Sequence, residues 1–432
     1  LLEVIGRARR LARNDFVRQS LVVFCATTLV NALGYAFHFA ISRRIGVVQY
    51  GVLSALNAAY MICATLSGII ATVVVKYTAE LRAVGDTAKL TVFTRKLMTF
   101  CAVTACITIA TGVLASHALA NFLKVRDPAA IALDVFIIGL TIANAPLRAV
   151  LQGIEEFVSF SVLATVESAI KAALGIALVY LGFGVTGAFA GWATGSTVSL
   201  VATGTTLWRR FPTLVAAPLY IDFRRLAMTT ANVAVATIVM TIIGYFDVII
   251  VKHFADPTTA GLYGALALSG KILFFFVAFV PTVLLPKATR MALGGRSAMP
   301  VFFQSMAVVV AISLAGLVVY GAAPGLIVTL LAGAAFAPAA PYVFSYGIAM
   351  VLLAALNVVV TFKIGLHRFD FILPLAVVAA GEIVGISVHH ATLGDVISVL
   401  IAGNAVALAS SLYRIDASVV VRASTRSSVD VA

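Results

Sequence analysis

Six ionisable side chains stand inside long apolar runs of this sequence: Asp134, Glu167, Lys171, Asp247, Lys271 and Glu382. A charged group at the centre of a bilayer costs roughly 2.5–3.5 kcal/mol unless it faces a cavity or finds a partner, so each marks a binding function or a built-in pairing. Glu167 and Lys171 are one helical turn apart, a spacing that predicts a local ion pair of structural use. Lys271 has no acidic residue three or four positions away. It asks for a wet cavity that receives an anion, or for a tertiary partner such as Asp247. Asp247 and Glu382 suit a proton or a metal cation, or a hydrogen bond from a neighbouring helix. His38 lies one turn before Ser42 and Arg43, where it shares their cavity or packs. Asn31, Asn57, Asn144, Asn232, Asn357 and Asn404 add polar atoms for interhelical bonds or cavity lining.

Enzyme signatures are missing: there is no phosphate-cradling glycine loop ending in Lys-Ser/Thr, no His-Glu-x-x-His and no Gly-x-Ser-x-Gly elbow. His389 and His390 are adjacent, so on a helix they point to different faces and read as a loop-end pair rather than a metal site. Cys25, Cys63, Cys101 and Cys106 lack metal-ligand spacing and read as packing residues. No metal and no organic cofactor is expected.

The elements that must position these residues are membrane helices. Hydrophobic residues make up 62% of the chain and charged ones 11%, against about 45–50% and 25% in a soluble domain. A crossing takes about 20 predominantly apolar residues, and twelve such runs are present, near 18–41, 51–75, 97–121, 130–150, 158–182, 185–208, 227–251, 260–286, 300–322, 340–363, 370–390 and 394–413. The first begins near Arg18, too late and too long for a secretory signal. The predicted architecture is an all-α polytopic membrane protein. A basic segment (1–17) precedes an N-lobe of spans one to six (18–208), and a polar linker (209–226) leads to a C-lobe of spans seven to twelve (227–413) and a tail (414–432). In span six, Gly187, Gly191 and Gly195 recur at every fourth position, a flat ridge for a close neighbour. The stretch 323–341, rich in Gly, Ala and Pro, reads as an outer loop or a broken helix end.

A net charge of +13 would suggest nucleic acid in a soluble protein, but its distribution here is topological. With the N-terminus inside, 23 of the 30 basic residues fall on the cytoplasmic side, Arg148 among them, and five on the outer side: Arg43, Arg44, Lys124, Arg126 and Lys252. Both termini are therefore expected in the cytoplasm. The two halves also resemble each other. Gly34-Tyr35 aligns with Gly244-Tyr245, Tyr50-Gly51 with Tyr263-Gly264, and GIEEF (153–157) with GLHRF (365–369), at offsets of 210, 213 and 212 residues. A parallel internal repeat of this kind is the usual mark of a transporter working by alternating access.

The stretch ISRRIGVVQYG (41–51) and the run LAGAAF (331–336), with the repeat and the twelve spans, resemble the polysaccharide and oligosaccharide flippases of the multidrug/oligosaccharidyl-lipid/polysaccharide exporter superfamily. That resemblance implies two six-helix lobes and cargo of polyprenyl-diphosphate-linked oligosaccharide moved from the inner to the outer leaflet. It implies substrate contacts from Lys271 first and Arg43 second, with His38 and Asn31 nearby. By analogy with lipid II flippases, Asp247, Glu382 and Asn404 would bind a coupling proton or sodium ion. Partners would be the lipid-linked glycan, membrane lipid, and glycosyltransferases and a polymerase of the same pathway, in the cytoplasmic membrane of a bacterium or archaeon. A drug or cation antiporter of the same superfamily is the alternative, with a membrane glycan polymerase or ligase behind it.

Overall fold

The structure, a computed structural model, describes residues 15–125, 127–212, 223–294, 296–413 and 415. Most of the basic lead-in, residues 213–222 of the linker and nearly all of the tail lie outside the described residues. Every regular element among the described residues is helical. Hydrocarbon offers no hydrogen bonds, so each crossing backbone must satisfy itself. The described residues contain nine helical segments long and apolar enough to cross a membrane, and a shorter apolar helix at Ile372–Val388. The chain divides into two compact units, one running to Ala265 and including Gly325–Ala340, the other made of Leu266–Pro324 and the chain from Pro341 onward.

In the first unit, α1 spans Asp15–Ala83, 69 residues. At 1.5 Å per residue that is about 100 Å, more than three bilayer cores, so it has to double back. It does so at Gly46 (φ 75°, ψ 173°), a conformation open to glycine. The reversal shows in its neighbours: Lys171 sits over the Phe37 ring, before the bend, and over Trp192, which also stacks edge-on with Tyr60, after it. The expected link at 42–50 is thus a kink inside helical backbone. Helices α2 (Thr87–Leu123) and α3 (Pro128–Gly153) are capped by Asp86 and Asp127, which accept from Lys89 N and Ala129 N. Helix α4 (Phe157–Leu178) passes through a π turn at Val179–Phe183, with Gly182 at φ 100°, into α5 (Gly184–Arg210).

Helices α4 and α5 form a tight antiparallel hairpin. A Cβ on Gly191 would fall 2.2 Å from Gly175 N, and one on Gly195 would fall 2.6 Å from Glu167 O. The glycine ridge of span six therefore does pack against span five. Helix α6 (Phe223–Phe254) and the start of α7 (Pro257–Val277) complete this part of the unit. There Gly51 and Gly261 bring α1 and α7 into backbone contact, a Cβ on Gly261 lying 2.0 Å from Val47 O.

The segment 323–341 is a broken helix: α10 (Pro324–Leu331), a reversal at Gly333 (φ 107°) and a 3₁₀ run at Ala334–Tyr342. Its part in the first unit packs Phe336 edge-on to Tyr50.

The second unit contains the rest of α7, α8 (Phe279–Leu293), α9 (Met299–Ala322), α11 (Val343–Gly365), α12 (Ile372–Val388) and α13 (Leu393–Leu412). Its core joins Val280, Leu284, Ala288, Phe302, Val309, Val358 and Phe362. Thr392 and Asp395 form a capping box that starts α13. Lys363, 1% exposed, donates to Asp370 Oδ2 (2.9 Å) and Tyr413 O (3.0 Å), tying the ends of α11 and α13 to the turn between α11 and α12.

Two turns share one design. After α3, Ile154, Glu155 and Glu156 N–H donate to Val150, Gln152 and Leu151; after α11, Leu366, His367 and Arg368 donate to Phe362, Ile364 and Lys363. Glu155 (φ 60°) and His367 (φ 54°) take the same left-handed conformation.

Two measurements test this packing. Alanine normally stabilises a helix relative to glycine by about 0.5–1 kcal/mol. Gly204→Ala, where a Cβ meets nothing within 4 Å, should leave the detergent-solubilised melting temperature unchanged or higher. Gly191→Ala should lower it, through overpacking worth about 1–3 kcal/mol.

Burial alone would raise the Asp370 carboxyl, but the hydrogen bond and charge of Lys363, with Arg368, hold it below the usual carboxylate range. The stability it contributes is full above the unfolded carboxyl's pKa and is lost as pH falls through the lowered folded value. Asp370→Asn should remove that pH dependence in acid melting curves. It should cost about 1–2 kcal/mol at neutral pH, less than for a wholly buried pair because Asp370 is 39% exposed.

Candidate functional site

The first unit holds a half-open cavity of about 320 Å³ among α1, α3, α4 and α5. Helix α3 supplies Thr141, Asn144, Arg148 and Gln152, spaced at three and four residues so that they share one face. Tyr60 and Ala71 come from α1, Phe160 and Glu167 from α4, and Ser196 from α5. Ser196 reaches the site because Gly195 lets α5 lie against the α4 backbone.

Glu167 accepts from two donors, Arg148 Nη2 and Ser196 Oγ, the latter at 2.9 Å. The expected pair with Lys171 does not form; the partner of Glu167 is Arg148, nineteen residues away in sequence. Lys171 instead rests its ammonium 3.4 Å from the Trp192 ring centroid and 4.9 Å from that of Phe37. An aromatic face compensates a cation without consuming a carboxylate. Asn144 donates to Ser199 Oγ (2.9 Å), and its own Oδ1 is buried without a hydrogen-bond partner. Thr141 Oγ1 lies 3.4 Å from the Tyr60 hydroxyl. Two turns from Thr141 along α3, Asp134 is 3% exposed, with Oδ1 likewise lacking a partner. The site is thus a polar centre within apolar helices, able to hold water or a polar solute beside a paired carboxylate and guanidinium. Among the described residues no group of three or more His, Cys, Asp or Glu could hold a metal ion.

The other sequence-predicted residues fall elsewhere. Asp247, in the first unit, is buried and accepts from the Tyr263 hydroxyl at 2.6 Å. Glu382 and Asn404 are brought together in the second unit, for a Cβ on Gly403 would fall 2.2 Å from Glu382 Oε1, and Asn404 Nδ2 donates to Ala349 O (3.2 Å). Lys271, half-buried on α7, belongs to the second unit. His38 Nδ1 lies 3.3 Å from the Tyr50 hydroxyl, and Asn31 is exposed. Arg43 stacks on Phe39 and donates to Phe39 O (2.8 Å), Leu330 O (2.8 Å) and Thr329 O (3.2 Å). It therefore caps the C-terminal end of α10.

Sequence reasoning missed Arg148 as a site residue. Its place near a helix end made it look like a cytoplasmic loop charge. The usable signal was its spacing on α3, seven residues from Thr141 and four from Gln152, with Glu167 in the following span.

Solved structures that share this fold include transporters and a flippase. An inward-facing multidrug resistance MATE family transporter of the MOP superfamily superposes with a TM-score of 0.76 at 12% identity, over 90% of this chain and 95% of that one. The lipid II flippase MurJ in an inward closed conformation gives 0.64 at 12% identity, over 93% and 87%. A MATE in complex with MaL6 gives 0.63 at 12%, over 95% and 98%. No curated protein sequence matches the chain. The fold is that of MATE and MurJ proteins, and its many apolar helices make this a multi-pass integral membrane protein. Residues 16–292 match the family model described as polysaccharide biosynthesis protein, more than half of the chain, and the chain belongs to that family.

Proposed function

We propose that this protein is a flippase that carries polyprenyl-diphosphate-linked oligosaccharide from the inner to the outer leaflet of a bacterial or archaeal cytoplasmic membrane, for cell-surface polysaccharide assembly. The observation that carries the proposal is the conjunction of polysaccharide-biosynthesis family membership over residues 16–292 with a fold shared by MurJ, described as a lipid II flippase. Glycosyltransferases and a polymerase of the same pathway would supply and consume the cargo.

The proposed topology is twelve crossings in two six-helix lobes, with both termini cytoplasmic. Nine apolar segments, a reversal inside two of them, and Ile372–Val388 support the count. The charge asymmetry supports the orientation. The internal repeat is supported by the matching turns at Glu155 and His367. A second support is that Tyr50 and Tyr263, aligned in the repeat, each reach back to a polar residue of the preceding segment, His38 before the Gly46 bend of α1 and Asp247 on α6.

Lys271, a cation within a span, is assigned to the diphosphate of the cargo. Arg43, with His38 and Asn31 on the same arm of α1, takes a lesser part because its guanidinium also holds α10. Asp247, Glu382 and Asn404 are assigned to a coupling proton or sodium ion. The close approach of Glu382 to the backbone beside Asn404 supports the second-unit half of that assignment.

The test is the leaflet distribution of lipid-linked glycan in cells depleted of the protein and complemented at equal membrane abundance. Wild type is expected to relieve inner-leaflet accumulation and Lys271→Ala to fail. Unchanged glycan lipids with altered sensitivity to cationic drugs would replace this reading with a drug antiporter. In proteoliposomes, Glu382→Gln should abolish the dependence of flipping on an ion gradient while the protein still melts cooperatively. A wild-type gradient response from that variant would remove Glu382 from the coupling site.

A further inference from the structure

Of the basic residues assigned to the outer side, Arg43 is occupied in capping α10 and Arg44 lies 5.7 Å from the Tyr180 ring. Lys252 is different. It stands in the last turn of α6, is 3% exposed, and has no hydrogen bond or ion pair among the described residues. Among the described residues it feels the repulsion of another cation, Lys124. Lys124 closes α2 in the left-handed conformation (φ 51°), its side chain exposed.

The opposition of the two lysines is built in. His253, next to Lys252, stacks on Phe122 with ring centroids 4.2 Å apart and 15° between planes. Its Nδ1 donates to Phe122 O, since a carbonyl can only accept. That joint holds the end of α6 against the end of α2. The carboxylates that follow each lysine in sequence are already committed. Asp127 accepts from Ala129 N and Thr186 Oγ1, and Asp256 accepts from Thr258 N and Thr259 N.

A largely buried lysine that has no acidic partner among the described residues and stands at a joint with a second lysine is an arrangement that an anion between them would relieve on both counts, desolvation and repulsion. The pair lies at the ends of apolar helices, the depth at which lipid phosphates sit. Lysine serves phosphate as a mobile point charge with three donors.

We propose that Lys252 and Lys124 form a binding site for a phosphate or diphosphate group carried on a lipid. The site is separate from the Glu167 cavity and from Lys271. It requires a membrane around the protein and no particular cargo, so it can fail while the flippase reading stands, and the reverse.

The test uses the full chain purified in uncharged detergent, with farnesyl diphosphate and a short-chain phosphatidylglycerol as probes, binding being read by native mass spectrometry. At least one probe should bind the wild type. Lys252→Met and Lys124→Met should each weaken it by about tenfold, as for one lost charge-assisted contact, while Lys252→Arg retains it. Lys124 is exposed, so its variant keeps the test decisive even where Lys252→Met fails to fold. Lysine-dependent binding of phosphatidylglycerol alone identifies a headgroup site. Lysine-dependent binding of farnesyl diphosphate, alone or in competition, identifies a diphosphate site. Binding of neither probe, or wild-type binding by Lys124→Met and by any folded Lys252→Met, overturns the proposal.

Discussion

Glycine at 175, 191 and 195 decides how near α4 and α5 can lie, and the polar centre of the first unit depends on that distance. With a side chain at Gly195 the helices would stand apart at the Glu167 carbonyl, and Ser196 would leave the carboxylate. Glu167 would then keep a single donor, Arg148, in a setting where a missing hydrogen bond to a charge costs on the order of 1–3 kcal/mol. The same approach sets Trp192 under Lys171. Close packing and charge compensation are one arrangement here. In hydrocarbon there is no solvent-driven burial to bring helices together, so small residues and interhelical polar bonds must do both.

Three kinds of acceptor neutralise cations among the described residues, each chosen by what lies within reach. Arg148 uses a carboxylate on a neighbouring helix. Lys171 uses aromatic faces. Arg43 and Arg95 use the spare carbonyls at helix ends: Arg43 those of α10, and Arg95 that of Phe211 after α5 (2.7 Å) while stacking on Trp208 (3.6 Å). Helix C-termini carry unsatisfied carbonyls and partial negative charge, so a guanidinium there satisfies both at once. Such an arginine binds elements together rather than awaiting a ligand. That is why the share of Arg43 in cargo binding is placed below that of Lys271.

Much of this was legible in the sequence, and the rest was hidden for definite reasons. Apolar runs announced the helices, because length and hydropathy alone decide what crosses a bilayer. The four-residue glycine spacing announced the α4–α5 contact, because it repeats with the helix turn. What spacing could not do was choose among partners. Glu167 and Lys171 are well placed for a local pair, yet the tertiary approach of α3 offered a guanidinium and the π face of Trp192 took the lysine. The clasp of Arg43 on Leu330 joins residues 287 apart and leaves no local trace. Nor do the compact units break at the polar linker, since α6 and residues 325–340 pack with the first.

The two matching turns show where the halves agree and where they part. Glu155 and His367 each accept a left-handed backbone that costs a non-glycine residue about 1–2 kcal/mol, and the same three hydrogen bonds hold both. Nearby ion pairs brace them differently, Arg82–Glu155 on the first and Lys363–Asp370 on the second. The tyrosines diverge further. Tyr50 meets an imidazole, whereas Tyr263 donates to a carboxylate. At the 210-residue offset of Gly34-Tyr35 and Gly244-Tyr245, Asp247 stands opposite Phe37 and His38 opposite Val248, so the two tyrosines reach polar groups one position apart in register. Asp247 is a carboxylate, a group that can bind a cation. Glu382 on α12 approaches the backbone beside Asn404 on α13, and that proximity is why ion coupling is assigned to the second half of the chain.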